Sequence, residues 1–175
     1  MQNRACCQGL SIRPTAWYSA MMRLVLFQPD IPQNTGTLFR LAACLGVPVD
    51  VIEPCGFVLG DRQLRRAGMD YLDRLDMRRH GSWETYQEER QGRPGRLVLL
   101  TTRAETSYTA FRFAPDDALM VGRESAGVPD AVHAAADARV KVPMVEGLRS
   151  LHVAVAGAMV LGEALGQTGA FGETE

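Results

Sequence analysis

Five short, almost uninterrupted apolar runs constrain this chain most: RLVLF at 23–27, PVDVIE at 48–53, RLVLLTT at 96–102, ALMVG at 118–122 and RVKVPM at 139–144. Runs without polar alternation are what strands need when both faces of a parallel sheet are covered. Segments with helical patterning lie between and after them, around 34–46, 61–68, 82–91, 128–137 and 150–167. Strand and helix in alternation predict an α/β fold, a mostly parallel sheet with helices on both faces. A further strand near Tyr71–Met77 is weakly patterned.

A length of 175 residues with 46% hydrophobic content suits one globular domain. That domain is expected over 22–169, after an extension at 1–21 expected to be disordered and before a flexible tail at 170–175. The extension lacks the long apolar core of a secretory signal. No apolar run reaches the ~18 residues of a membrane span. Cys6, Cys7, Cys44 and Cys55 form no CxxC pair and no metal-ligand spacing, so they read as reduced thiols of a cytoplasmic protein, with no metal expected.

A net charge of −1 gives no global attraction to nucleic acid, so any such contact requires a local patch. The stretch 61–80 supplies one, with Arg62, Arg65, Arg66, Arg74, Arg78 and Arg79 only partly offset by acids; on charge alone it reads equally as a mixed, solvated surface.

In open α/β sheets ligands gather beyond the carboxyl ends of the strands. Three loops there are unusual: Thr101-Thr102 after RLVLL, GRESAGVP at 122–129, and VEGLRSLH, which is expected to place Ser150 at the N-cap of the last helix. In the first helix, a step of about 100° per residue puts Leu38, Leu41, Ala42 and Leu45 on one buried stripe and Arg40 on the opposite side. An outward Arg40 is either simply solvated or shares a ligand with Asn34 and Gly36. The last helix is apolar on every side, which predicts burial on every side: against the core and at the subunit interface of a two-fold dimer, with a central strand-covering helix in a monomer as the competing explanation.

Together, IPQNTGTLFR at 31–40, DRQLRRAGMDY at 61–71, LLTT at 99–102, GRESAGVP at 122–129 and VPMVEGLRSLHVAVAGAMVLGEAL at 142–165 resemble the SPOUT class of tRNA 2′-O-ribose methyltransferases, in its small wobble-position branch. The resemblance runs from about Arg23 to Thr168. It implies a carboxyl-terminal trefoil knot, a homodimer formed through the last helix, and S-adenosylmethionine as methyl donor, with S-adenosylhomocysteine as product. Carried over by motif, donor-binding residues are Leu100, Gly122, Val142, Ser150 and Leu151. Arg40, Asn34, Glu124, Ser150 and His152 are the implied catalytic set, and Arg62, Arg65 and Arg66 the tRNA contacts. The family places Asn where this chain has His152, a side chain that also offers one donor and one acceptor when neutral. A tRNA- or ribosome-binding dimer without turnover is the competing expectation. An ordinary nucleotide-binding enzyme is disfavoured, because QPDIPQNTG follows the first strand where a GxGxxG or GxxxxGK[ST] loop would stand.

Overall fold

The computed structural model describes residues 21–59 and 75–171. Six strands, β1 (Arg23–Phe27), β2 (Val49–Ile52), β3 (Met77–His80), β4 (Leu97–Leu100), β5 (Ala118–Val121) and β6 (Ala138–Val140), form one sheet in the order β3-β2-β1-β5-β4-β6. Every pairing is parallel. Four α-helices among the described residues cover it: α1 (Pro32–Leu45), α2 (Trp83–Arg90), α3 (Asp130–Ala135) and α4 (Val153–Thr168).

The unbroken apolar runs have the expected cause. Successive side chains of a strand point to opposite faces, so Leu24 and Leu26 join one core with Leu38 and Phe39 of α1 and Val160 and Leu161 of α4. Val25 and Phe27 join the other, with Tyr86 of α2 and Val132 of α3. Both faces are therefore dry, and a half-polar strand would leave a buried polar group on one of them.

The elements differ from expectation in places that have physical reasons. β3 begins at Met77, where the expected strand ends, and is paired so that Val49 faces Met77; residues 71–74 of that expectation lie outside the described residues. Its first three residues are exposed, so an edge strand carries little apolar pattern. α1 starts at Pro32 and not near Asn34, because a proline suits the first helical turn. Its buried face includes Asn34, Thr35 and Phe39 with Leu38 and Ala42, whereas Leu41 and Leu45 are only half-buried. The run 139–144 leaves the sheet after Val140. There the amide of Lys141 donates to the Thr106 carbonyl at 2.9 Å and its carbonyl accepts from the Tyr108 amide at 2.9 Å. Ser150 is not the N-cap of the last helix: α4 begins at Val153 with His152 in the cap position and no side-chain cap bond. The expected helix at 61–68 and the extension lie outside the described residues. No helix among the described residues is long and apolar enough to cross a membrane.

A buried charge network fastens the sheet edge opposite the unusual loops. Asp50, fully buried on β2, accepts from Arg23 Nε at 2.6 Å, contacts His80 Nε2 at 2.9 Å and lies 3.3 Å from Arg93. Burial works against its charge, but the bonds from His80 and Arg23 outweigh that and hold the carboxyl down at about 2.

Candidate active site

Strands that share one direction bring the loops after β1, β4, β5 and β6 to a single edge. β1 and β5 are neighbours where the strand order reverses, the position at which such sheets bind ligands. A cavity of about 350 Å³ opens there. The end of β4 and the loop after it supply Leu100, Thr101 and Thr102; the loop after β5 supplies Gly122, Arg123 and Glu124; the segment after β6 supplies Val142, Ser150, Leu151 and His152; α1 supplies Asn34. Its volume falls in the usual range for small-molecule sites, and its mixture of apolar wall and a few convergent polar groups is typical of them. Among the described residues, no group of three or more His, Cys, Asp or Glu side chains is placed to hold a metal ion.

The loop after β5 owes its shape to two glycines. The Arg123 amide donates to the Gly127 carbonyl at 3.0 Å and the Gly127 amide returns the bond at 2.8 Å. Gly127 has a φ of 65°, a left-handed conformation that glycine adopts freely. A Cβ on Gly122 would lie 2.7 Å from the Gly127 carbonyl carbon. Gly122 thus makes room for the loop's own backbone, and only through it for a ligand.

Asp30 ties this loop to β1, and sequence reasoning missed it. Its carboxylate accepts from the amide of Glu124 at 3.1 Å, the amide of Ser125 at 3.3 Å and the Ser125 hydroxyl. Arg123 Nε approaches it at 3.8 Å. Burial opposes the charge on Asp30, but the bonds from Glu124 and Ser125 prevail and hold it at about 2. Gly56 lets Asp30 in: a Cβ there would sit 2.9 Å from the Asp30 Cα. Glu124 responds in the opposite sense. Burial first, and then the Asp30 carboxylate beside it, push its carboxyl up to about 7. Its Oε2 is buried with no hydrogen-bond partner among the described residues.

The SpoU rRNA Methylase family matches residues 21–162. A tRNA (cytidine(34)-2′-O)-methyltransferase of Beijerinckia indica is 60% identical over 147 residues, spanning 84% of this chain and 92% of the relative. The chain belongs to the SpoU rRNA methylase family. A solved structure described as giving structural insights into the 2-OH methylation of C/U34 on tRNA superposes with a TM-score of 0.79 at 41% identity, covering 85% of this chain and 97% of that one. The SpoU methyltransferase AviRb of Streptomyces viridochromogenes, in complex with AdoMet, matches with a TM-score of 0.74 at 26% identity over 85% of this chain and 61% of its own.

Within this SpoU fold, the motif residues do not all converge. Asn34, Leu100, Gly122, Glu124, Val142, Ser150, Leu151 and His152 line the one cavity. Leu100 and Val142 also pack against the core, so strand burial and cavity wall are the same fact at these positions. Arg40 is exposed on α1 and is not among the cavity-lining residues. It lies six residues, about 9 Å of helix axis, beyond Asn34. Arg62, Arg65, Arg66 and Arg74 fall outside the described residues. Of the remaining arginines in the basic stretch, Arg79 pairs with Glu53 at 2.6 Å and Arg78 is exposed.

Proposed function

We propose that this chain methylates the 2′-hydroxyl of the wobble nucleotide of tRNA, position 34, a cytidine or modified uridine, with S-adenosylmethionine as donor. The observation that carries the reading is the convergence, on one cavity, of eight motif residues from four separate segments, in a chain aligned along nearly the full length of a relative with that named activity.

The cavity suits the donor chemically. Leu100, Val142 and Leu151 offer apolar surface for an adenine, and the backbone of the glycine-shaped loop after β5 offers amides and carbonyls at close approach. When bound, the donor supplies an electrophilic methyl on a positively charged sulfur. The chain's part is to position the ribose hydroxyl in line and stabilise the charge that develops on it. Arg40 suits that second task, since a guanidinium presents a planar set of donors to an oxyanion or phosphate. It is assigned to the hydroxyl and the adjoining phosphate, with Asn34 and Ser150 orienting groups in the cavity.

Val155 and Met159 are exposed and four apart on α4, so they form one apolar stripe, and exposed Leu151 lies just ahead of the helix. In this reading the stripe joins two copies of the chain, and Arg40, which is not among the residues lining its own cavity, is brought to bear on bound RNA by the assembled dimer. The segment 141–152 would form the family's knot, Arg62, Arg65 and Arg66 would grip tRNA, and the enzyme would work in the cytoplasm.

Mass spectrometry of tRNA nucleosides from cells with and without the protein tests the reading. Loss of a 2′-O-methylated nucleoside at position 34, restored by the purified protein with S-adenosylmethionine, is the expected result. Unchanged nucleosides with tRNA still bound would leave only the binding dimer.

A further inference from the structure

An attacking hydroxyl must lose a proton, and Arg40 is ill suited to take it, because a guanidinium is protonated throughout the accessible pH range. Among the described residues the cavity wall carries three charged or titratable side chains, Arg123, Glu124 and His152. A second lobe of about 340 Å³ lies along the same groove, between the loops after β4 and β5, and is walled by Arg103, Ser125 and His133. The two lobes share Thr101, Thr102, Glu124, Gly127 and Val128. Among the described residues Glu124 is therefore the one titratable group common to both, and its Oε2 is buried with no hydrogen-bond partner among them.

Resting on the proposed methyl transfer, we infer that the outer lobe receives the acceptor ribose and that Glu124 Oε2 takes the proton of its 2′-hydroxyl, with Asp30 as the residue that positions Glu124. The step balances. The hydroxyl proton passes to Glu124 as its oxygen forms a bond to the methyl carbon, the carbon–sulfur pair stays on sulfur, and the sulfonium becomes a neutral thioether. Glu124 then returns its proton to water.

Asp30 contributes in two ways. Its bonds to Glu124 and Ser125 fix the loop, and its charge discourages a second charge beside it. Glu124 also interacts with the neutral amide of Asn34 from α1, and it shares the walls of the two lobes with Arg123 of its own loop, His152 ahead of α4, and Arg103 and His133. A carboxyl poised near neutrality is matched to proton transfer at cellular pH. A base must be ionised to act, so activity falls on the acid side of that value. A sulfonium in the cavity favours the ionised form and displaces the proton on binding.

Glu124→Gln should lower methyl transfer by about 100- to 10,000-fold. Calorimetry in two buffers of different ionisation enthalpy should show S-adenosylmethionine releasing about half a proton near pH 7 from the intact protein. The neutral thioether S-adenosylhomocysteine should release less, and Glu124→Gln should release none. Asp30→Asn should move the acid limb of the rate profile to lower pH, because the charge that raises Glu124 is gone. A merely structural Asp30 would lower the rate at every pH and leave the limb in place. Near-normal transfer by Glu124→Gln, or an acid limb that survives in Glu124→Gln and disappears in His152→Asn, would overturn the inference. Wild-type protein that methylates no tRNA at any pH would instead sink the functional reading beneath it.

Discussion

Gly122→Ala isolates the idea that the donor site is shaped by backbone touching backbone. The new Cβ would stand 2.7 Å from the carbonyl carbon of Gly127 and 3.0 Å from its Cα and its oxygen. No side chain can turn aside, because every one of those atoms is main chain. Relief requires Gly127 to retreat, which stretches the reciprocal bonds between Arg123 and Gly127 at 3.0 and 2.8 Å. Overpacking of this kind costs about 1–3 kcal/mol, and each weakened bond adds about 0.5–1.5 kcal/mol. The loop can escape part of that by shifting into the cavity it lines, so about 2–3 kcal/mol should appear as lost donor affinity, roughly 30- to 150-fold. Titration calorimetry with S-adenosylmethionine measures this, and circular dichroism melting shows whether the fold survives. Gly127→Asn is the control: nothing lies within 4 Å of a Cβ there, and asparagine tolerates the left-handed φ of 65° better than most residues. It should bind the donor more tightly than Gly122→Ala does. Unchanged affinity in Gly122→Ala, or loss that tracks global unfolding, would refute the reasoning.

Three other substitutions probe separate parts of the molecule. Arg40→Ala should cost methyl transfer orders of magnitude while donor affinity stays within a few-fold, the pattern of a group acting on the transition state; retained turnover would return Arg40 to the solvated surface. Asp50→Asn should destabilise the fold by about 3–5 kcal/mol in urea titrations, because Arg23 would be left buried without its charge partner. The folded carboxyl of Asp50 is depressed to about 2, so its contribution is complete above the unfolded value and is lost as pH falls towards the folded one. The wild type should therefore lose stability faster than Asp50→Asn on acidification, and parallel curves would contradict this. Val155→Asp, on the exposed stripe of α4, should convert a dimer to a monomer in light-scattering measurements; an unchanged mass would place the interface elsewhere.

What the chain's order made legible was whatever depends on neighbours in sequence. Runs such as RLVLF declared a strand buried on both faces because Leu24 and Val25 each needed an apolar partner, and each has one. α4 was visible for the same reason, while its start was not. Ser150 looked like a cap by residue type, but the chain from Lys141 onward is held by Thr106 and Tyr108, and the helix forms only at Val153. β3 hid because an edge strand is under little pressure to be apolar, and Met77, Arg78 and Arg79 are all exposed.

The same division runs through the site. Asn34, Gly122, Glu124 and Ser150 were recognisable as motif residues, but nothing local distinguishes Asp30 from any other acid between a strand and a helix. Its partners Glu124 and Ser125 are 94 and 95 residues away. They meet because β1 and β5 are neighbours, in register from Arg23 opposite Ala118 to Leu26 opposite Val121. That pairing delivers the two following loops to each other within a few residues of the strand ends. A carboxylate on one loop then adds to burial in raising the proton affinity of the carboxyl on the other. Proton affinity at Glu124 thus depends in part on sheet order, and an insertion or deletion in either loop should disturb it even with both acids retained.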